Sequence, residues 1–125
     1  MAGEINIADW FEIPVHDLDR ARLFYESVFN VELPVSDFGT VRMAFFPMNT
    51  AFYGAAGALV KGDVHIPSHR GILIYMNVED IEETLDKVDG GGGKTLMPKT
   101  SIGAYGFIAH FQDSEGNRLG LHSIK

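Results

Sequence analysis

Four short stretches place acid–base and aromatic side chains two residues apart, the spacing that puts them on one face of a β-strand. Trp10 and Glu12 alternate with Phe11, Ile13 and Val15; Leu73, Tyr75 and Asn77 alternate with Ile72, Ile74, Met76 and Val78. Ile108, His110 and Gln112 alternate with Phe107, Ala109 and Phe111, and Arg118, Gly120 and His122 alternate with Leu119 and Leu121. In each stretch the apolar set is expected to pack inward, which turns the other set away from the core. Trp10, Glu12, Tyr75, Asn77, His110 and His122 then offer an indole, a phenol, an amide, one carboxylate and two imidazoles. Such groups orient a small, partly apolar ligand through aromatic contact and a few hydrogen bonds. A carboxylate or imidazole held there can also move a proton near neutral pH. Plainer roles compete with these. Trp10 can simply fill core or interface, Glu12 can sit in a structural ion pair, and the two histidines can be hydrogen-bonded structural groups.

Other chemistries are weaker. The run GGGGKT at residues 90–95 lacks the glycine that a phosphate loop needs five positions before its GK, because Val88 stands there. The run also follows a helical pattern and leads into a strand, so it reads as a hinge, with Gly90 or Gly91 ending the helix in a left-handed conformation. There is no cysteine, which excludes disulfides, thiolate catalysis and zinc–cysteine sites. A net charge of −7 with scattered Lys and Arg disfavours nucleic acid and anionic membranes. No apolar run reaches spanning length and the first ten residues lack signal-peptide regions, so the expected location is cytoplasmic. His16, His65 and His69 fall in turn or linker sequence and are expected to be solvated. Glu79, Asp80, Glu82 and Glu83 read as an exposed helix face. Met43, Phe45, Phe46 and Met48 read as core filling, or as an adaptable apolar pocket.

The elements that must position these groups are written twice. After the first strand, Leu18, Ala21, Phe24, Tyr25, Val28 and Phe29 form a helical stripe with Asp17 as its N-cap. Pro14 is expected to end the strand before it. After the strand at 72–78, Ile81, Leu85 and Val88 do the same with Asp80 as cap. An offset of 63 residues superimposes strand phase, cap and helix phase, as for a duplicated unit. Shorter strands follow at about 31–36, 41–47 and 52–61, and at about 95–98, 105–112 and 118–124. Turns are expected at 37–39, 48–50 and 114–117. The reading is α+β: one domain over 1–125, with module one about 5–61, a linker about 62–70 and module two about 71–124, each β-α-β-β-β.

This plan, with VHDLDRARLFY opening the chain and FQDSEGNRLGLH closing it, resembles the vicinal oxygen chelate superfamily. That group includes glyoxalase I, bleomycin-resistance proteins, methylmalonyl-CoA epimerase and extradiol dioxygenases. The resemblance implies the glyoxalase/bleomycin-resistance/dioxygenase-like fold, in which two modules curl a mixed sheet into a cup and a homodimer completes two cups. It also implies four metal-ligand slots on the first and last strands of each module, falling here on Trp10, Gly57, Leu73 and Gly120. None of these side chains can bind a divalent ion, so no metal and no cofactor is expected. A displaced site of Glu12, His110 and His122 is the chemical alternative. The glycines at 57 and 120 are expected to leave room for a ligand. Function is then binding of a small, partly aromatic molecule in a cup at a dimer interface, with Trp10, Tyr75, Asn77, His110 and His122 as contacts. The alternative is a metal-independent lyase- or isomerase-type enzyme, with Glu12 or His110 as acid or base.

Overall fold

The computed structural model describes residues 6–49 and 54–125. Two β-α-β-β-β units follow one another. The first has strand β1 (Trp10–Pro14), helix α1 (Leu18–Phe29), β2 (Val35–Asp37), β3 (Val41–Phe45) and β4 (Ala56–Gly62). The second has β5 (Tyr75–Asn77), α2 (Ile81–Gly90), β6 (Lys94–Ser101), β7 (Phe107–Gln112) and β8 (Arg118–Ser123). Each unit makes a four-stranded mixed sheet, in the orders β1-β4-β3-β2 and β5-β8-β7-β6. The fold is α+β. The first strand of each unit runs parallel to the last, and the other pairs are antiparallel. Among the described residues, β1 and β5 each keep one edge without a paired strand.

Both helices start as their sequences dictate. Asp17 and Asp80 accept hydrogen bonds from the Arg20 and Glu83 amides at 3.1 and 3.0 Å, satisfying amides that have no partner within the helix. Their apolar stripes then pack on the sheets. Ala21, Phe24, Tyr25 and Val28 of α1 and Ile81, Leu85 and Val88 of α2 share one core with Ile13, Ala44, Leu59, Ala109, Phe111, Leu119 and Leu121 of the strands. The alternation read for β1, β7 and β8 therefore holds.

Several boundaries differ from the sequence expectation. The strand expected at 31–36 is paired only from Val35. Leu33 is nevertheless core, its amide held by the Glu26 carboxylate at 2.9 Å. The strand expected at 72–78 pairs only over Tyr75–Asn77, and Ile72 is 89% exposed rather than packed inward. β6 runs longer than expected and passes Pro98, which donates no ladder bond, through a register shift between Met97 and Thr100. Gly103–Tyr105 is a 3₁₀ turn rather than the start of β7. The glycine run is indeed a hinge between α2 and β6, but the left-handed residue is Gly92, at φ 105°, and not Gly90 or Gly91. Thr50 of the expected turn and residues 52–53 of the expected strand lie outside the described residues.

A buried clasp joins the two halves. The turn between β7 and β8 carries Asp113, Glu115 and Asn117, all nearly inaccessible to solvent. Asp113 accepts from the Tyr25 hydroxyl at 2.7 Å, from the Glu115 and Asn117 amides at 2.8 and 2.9 Å, and from Asn117 Nδ2 at 2.9 Å. Glu115 accepts from Arg20 Nε at 2.7 Å and from the His16 and Asp17 amides at 2.9 and 2.8 Å. Asn117 donates to the Pro14 carbonyl at 2.8 Å. Buried charges persist only with partners of this kind, and here Tyr25, Arg20, the His16 and Asp17 amides and the Pro14 carbonyl supply them from the opposite half of the chain.

Candidate functional site

The faces of the two sheets turned away from the helices carry the candidate groups in two clusters. On the first sheet, Trp10 Nε1 donates to Glu12 Oε2 at 3.3 Å, and the indole packs against Phe45 with ring centroids 6.2 Å apart. Phe38 meets Phe45 edge-on at 6.4 Å. Glu12 Oε1 lies 3.0 Å from His65 Nε2. The partner that a carboxylate needs on such a face is thus a linker histidine. His65, expected to be solvated, is instead partly covered against the first sheet, while His69 is exposed as expected, its Nε2 standing 2.7 Å from Gln112 Oε1. Strand periodicity carries no information about a linker, so nothing in the sequence pointed to either contact.

On the second sheet Tyr75, His110 and Arg118 form a chain. Tyr75 Oη is 2.8 Å from His110 Nε2, and Arg118 Nε donates to His110 Nδ1 at 3.2 Å. Burial, and then the Arg118 charge, lower the His110 pKa from its ordinary value and favour the neutral ring. Further along, His122 Nδ1 lies 3.4 Å from Asn77 Oδ1, and His122 Nε2 meets the Tyr105 carbonyl at 2.7 Å. A carbonyl only accepts, so that nitrogen carries a proton and ties β8 to the 3₁₀ turn.

Two expectations about space are overturned. Gly120 does not leave room: the Tyr75 ring lies directly over it, where a Cβ would overlap ring carbons. Gly57 does not face this surface at all. It pairs with Phe11 and sits under the Phe11 ring, on the side turned to the helices. In the second unit Tyr75 pairs with Gly120, and in the first Glu12, its counterpart, pairs with Ala58. The first-half equivalent of Gly120 is therefore Ala58. The 63-residue offset shortens to 62 at the last strand, and a one-residue slip exchanges the two faces. Leu73 lies before β5 and outside the ladder.

Trp10 joins Glu12, Tyr75 joins His110, and Asn77 joins His122, but Glu12, His110 and His122 are not brought together. Among the described residues no group of three or more His, Cys, Asp or Glu is gathered that could hold a metal ion. Glu12 and Arg118 line one cleft of about 420 Å³ at the seam of the two units, with Pro14, Ile66, Arg70 and Ile72. That volume suits a small organic ligand.

The profile of the Glyoxalase/Bleomycin resistance protein/Dioxygenase superfamily matches residues 7–121. The chain belongs to this superfamily. A glyoxylase-like domain-containing protein of Didymella fabae is 32% identical over 110 residues, covering 85% of this chain and 84% of its own. Among solved structures, a glyoxalase I mutant of Zea mays superimposes with a TM-score of 0.72 at 20% identity, over 93% of this chain. The chain spans only 45% of that maize enzyme's length. The fosfomycin resistance protein FosX of Listeria monocytogenes superimposes with a TM-score of 0.70 at 18% identity, covering 94% of this chain and 90% of its own. At these identities the two structures share the superfamily fold and establish nothing further.

Proposed function

We propose that this superfamily member binds a small, partly aromatic molecule in the cup formed by its outward sheet faces, without a metal ion, and that a second copy of the chain completes the cup. One observation carries the reading. Trp10 and Tyr75 stand on strands at 39% and 43% exposure, each fixed by a hydrogen bond to an ionisable neighbour, with Ile13, Leu119 and Leu121 of the core on the opposite faces of the two sheets. Large aromatic side chains held rigid yet open are suited to stacking on a ligand ring. The metal slots support the same conclusion. Indole, methyl, isobutyl and hydrogen at Trp10, Ala58, Leu73 and Gly120 offer a divalent ion no donor, so no metal-routed step is assigned. The edges of β1 and β5 that carry no paired strand among the described residues, and the exposed Ile66 and Ile72 at the seam, support association with a second copy.

The Glu12–His65 contact favours a second reading, metal-independent proton transfer with Glu12 as base, in which His110 is the other candidate acid or base. Because Trp10 is the only tryptophan, its emission reports on the cup directly. Titration with small aromatic acids should shift or quench it saturably, and Trp10→Ala should weaken binding. A ligand bound saturably by calorimetry, with Trp10 emission and Trp10→Ala affinity both unchanged, defeats the cup reading. Turnover retained by Glu12→Gln on any substrate found eliminates that residue as base.

A further inference from the structure

We infer that Tyr75 is the donor that recognises an acceptor oxygen of the ligand, carbonyl or carboxylate, and that Arg118 and His110 are positioning residues that fix the direction of that donation. This rests on the binding reading above and adds the chemistry of the ligand's polar end. An arginine side chain only donates, so Arg118 Nε, 3.2 Å from His110 Nδ1, obliges that nitrogen to accept. The imidazole is then neutral with its proton on Nε2. Nε2 lies 2.8 Å from Tyr75 Oη, and a nitrogen carrying that proton donates to the phenol oxygen. The Tyr75 proton must therefore point away from His110, toward whatever occupies the open side of the sheet.

The phenol is also held in place. Its ring lies over Gly120 and meets His110 edge-on with centroids 5.6 Å apart. The lowered His110 pKa, caused by burial and then by the Arg118 charge, agrees with a neutral ring. The first unit has no such relay. By ladder position Glu12 stands where Tyr75 does and Phe45 where His110 does. One half of the duplicated site thus presents a carboxylate acceptor and the other a hydroxyl donor. An acceptor oxygen is recognised at Tyr75 and disfavoured at Glu12.

Two measurements test this on the full chain. Nitrogen-15 NMR of the histidine rings at about pH 7, with His110 assigned through His110→Gln, should show the Nε2–H tautomer, and Arg118→Met should abolish that preference. A proton on Nδ1 in the unaltered protein overturns the inference. Binding is then compared for benzoate, acetophenone and ethylbenzene, the last lacking the oxygen. Tyr75→Phe, which keeps the ring over Gly120, should weaken benzoate and acetophenone by about ten-fold and leave ethylbenzene unchanged. Equal affinity of the oxygen-bearing probes for variant and wild type overturns the inference and leaves the binding reading standing. Absence of saturable binding by all three overturns the binding reading, and this inference with it.

Discussion

Replacing Glu115 by glutamine probes the clasp between the two halves at its most charged point. The Glu115 side chain is fully buried. Its Oε1 takes the His16 and Asp17 amides and Arg20 Nη2, the last at 3.0 Å, and its Oε2 takes Arg20 Nε at 2.7 Å and the Ser114 hydroxyl at 3.0 Å. Glutamine keeps the size and one oxygen for the two backbone amides. Its NH₂ then faces the Arg20 Nε–H, so a charge-assisted bond becomes a donor–donor contact. Breaking a fully buried pair costs roughly 3–5 kcal/mol. Arg20 is 54% exposed, so its guanidinium can turn to water and recover part of that loss. The expected destabilisation is about 2–3 kcal/mol, which for a chain of this length lowers Tm by roughly 6–12 °C.

The pH dependence makes the test specific. Burial pushes the Glu115 carboxyl up. The Arg20 hydrogen bond, the Asp17 amide, Ser114 and the Arg20 charge outweigh burial and hold the group below the ordinary glutamate range. With the folded value depressed, the unfolded chain takes up the proton first as pH falls. The contribution is complete above the unfolded value of about 4.3 and is lost as pH drops toward the folded one. Thermal unfolding followed by circular dichroism should show a Tm gap between wild type and Glu115→Gln that is constant above about pH 5 and closes below about pH 4. A gap worth less than about 0.5 kcal/mol at neutral pH, or one that persists unchanged down to about pH 3, refutes the reasoning.

Tyr25→Phe removes one of the Asp113 donors and should cost about 1–3 kcal/mol by urea unfolding. Burial, and then the Asp113 charge, hold the Tyr25 proton well above the ordinary tyrosine value. Only the unfolded chain releases it near pH 10, so stability should fall as pH rises past that point. An absorbance titration in which all four tyrosines ionise together in folded protein would exclude this. Gly120→Ala places a Cβ in the Tyr75 ring; it should cost about 1–3 kcal/mol and shift the His110 ring signals in NMR, and unaltered signals would mean the ring is not seated there. Asp17→Ala and Asp80→Ala each remove one N-cap and should each cost about 1 kcal/mol, measured by urea unfolding; no loss at either would contradict the capping geometry.

Features with local causes were legible in the sequence. Asp17 and Asp80 cap because their side chains need only reach an amide three residues on, and the alternation of β1, β7 and β8 follows from which face meets a helix. Contacts between distant segments were not legible. Gly57 was assigned to the wrong face because a duplication offset is exact only until one residue is lost, and the second unit is one residue shorter than the first between its first and last strands. His65 and His69 reach the site from a linker with no period to read. Arg118 was placed on the right face, but its part in fixing His110 depends on a cross-strand distance that only the β7–β8 register sets.

The turn at 114–117 was read as a hairpin turn because polar residues around a glycine usually form one. What periodicity did not show is the burial of Asp113, Glu115 and Asn117, whose partners Tyr25, Arg20 and the Pro14 carbonyl lie almost a chain length away. The two segments that carry the family resemblance, DLDRARLFY and DSEGNRLGL, are the two sides of this clasp: Arg20 and Tyr25 on one, Glu115 and Asp113 on the other. Mutual hydrogen bonding of these buried groups ties the start of the first unit to the end of the second. Trp10, Glu12, Tyr75 and His110 stand on strand positions that this clasp does not touch, so side chains there can change while the clasp, and with it the fold, is kept.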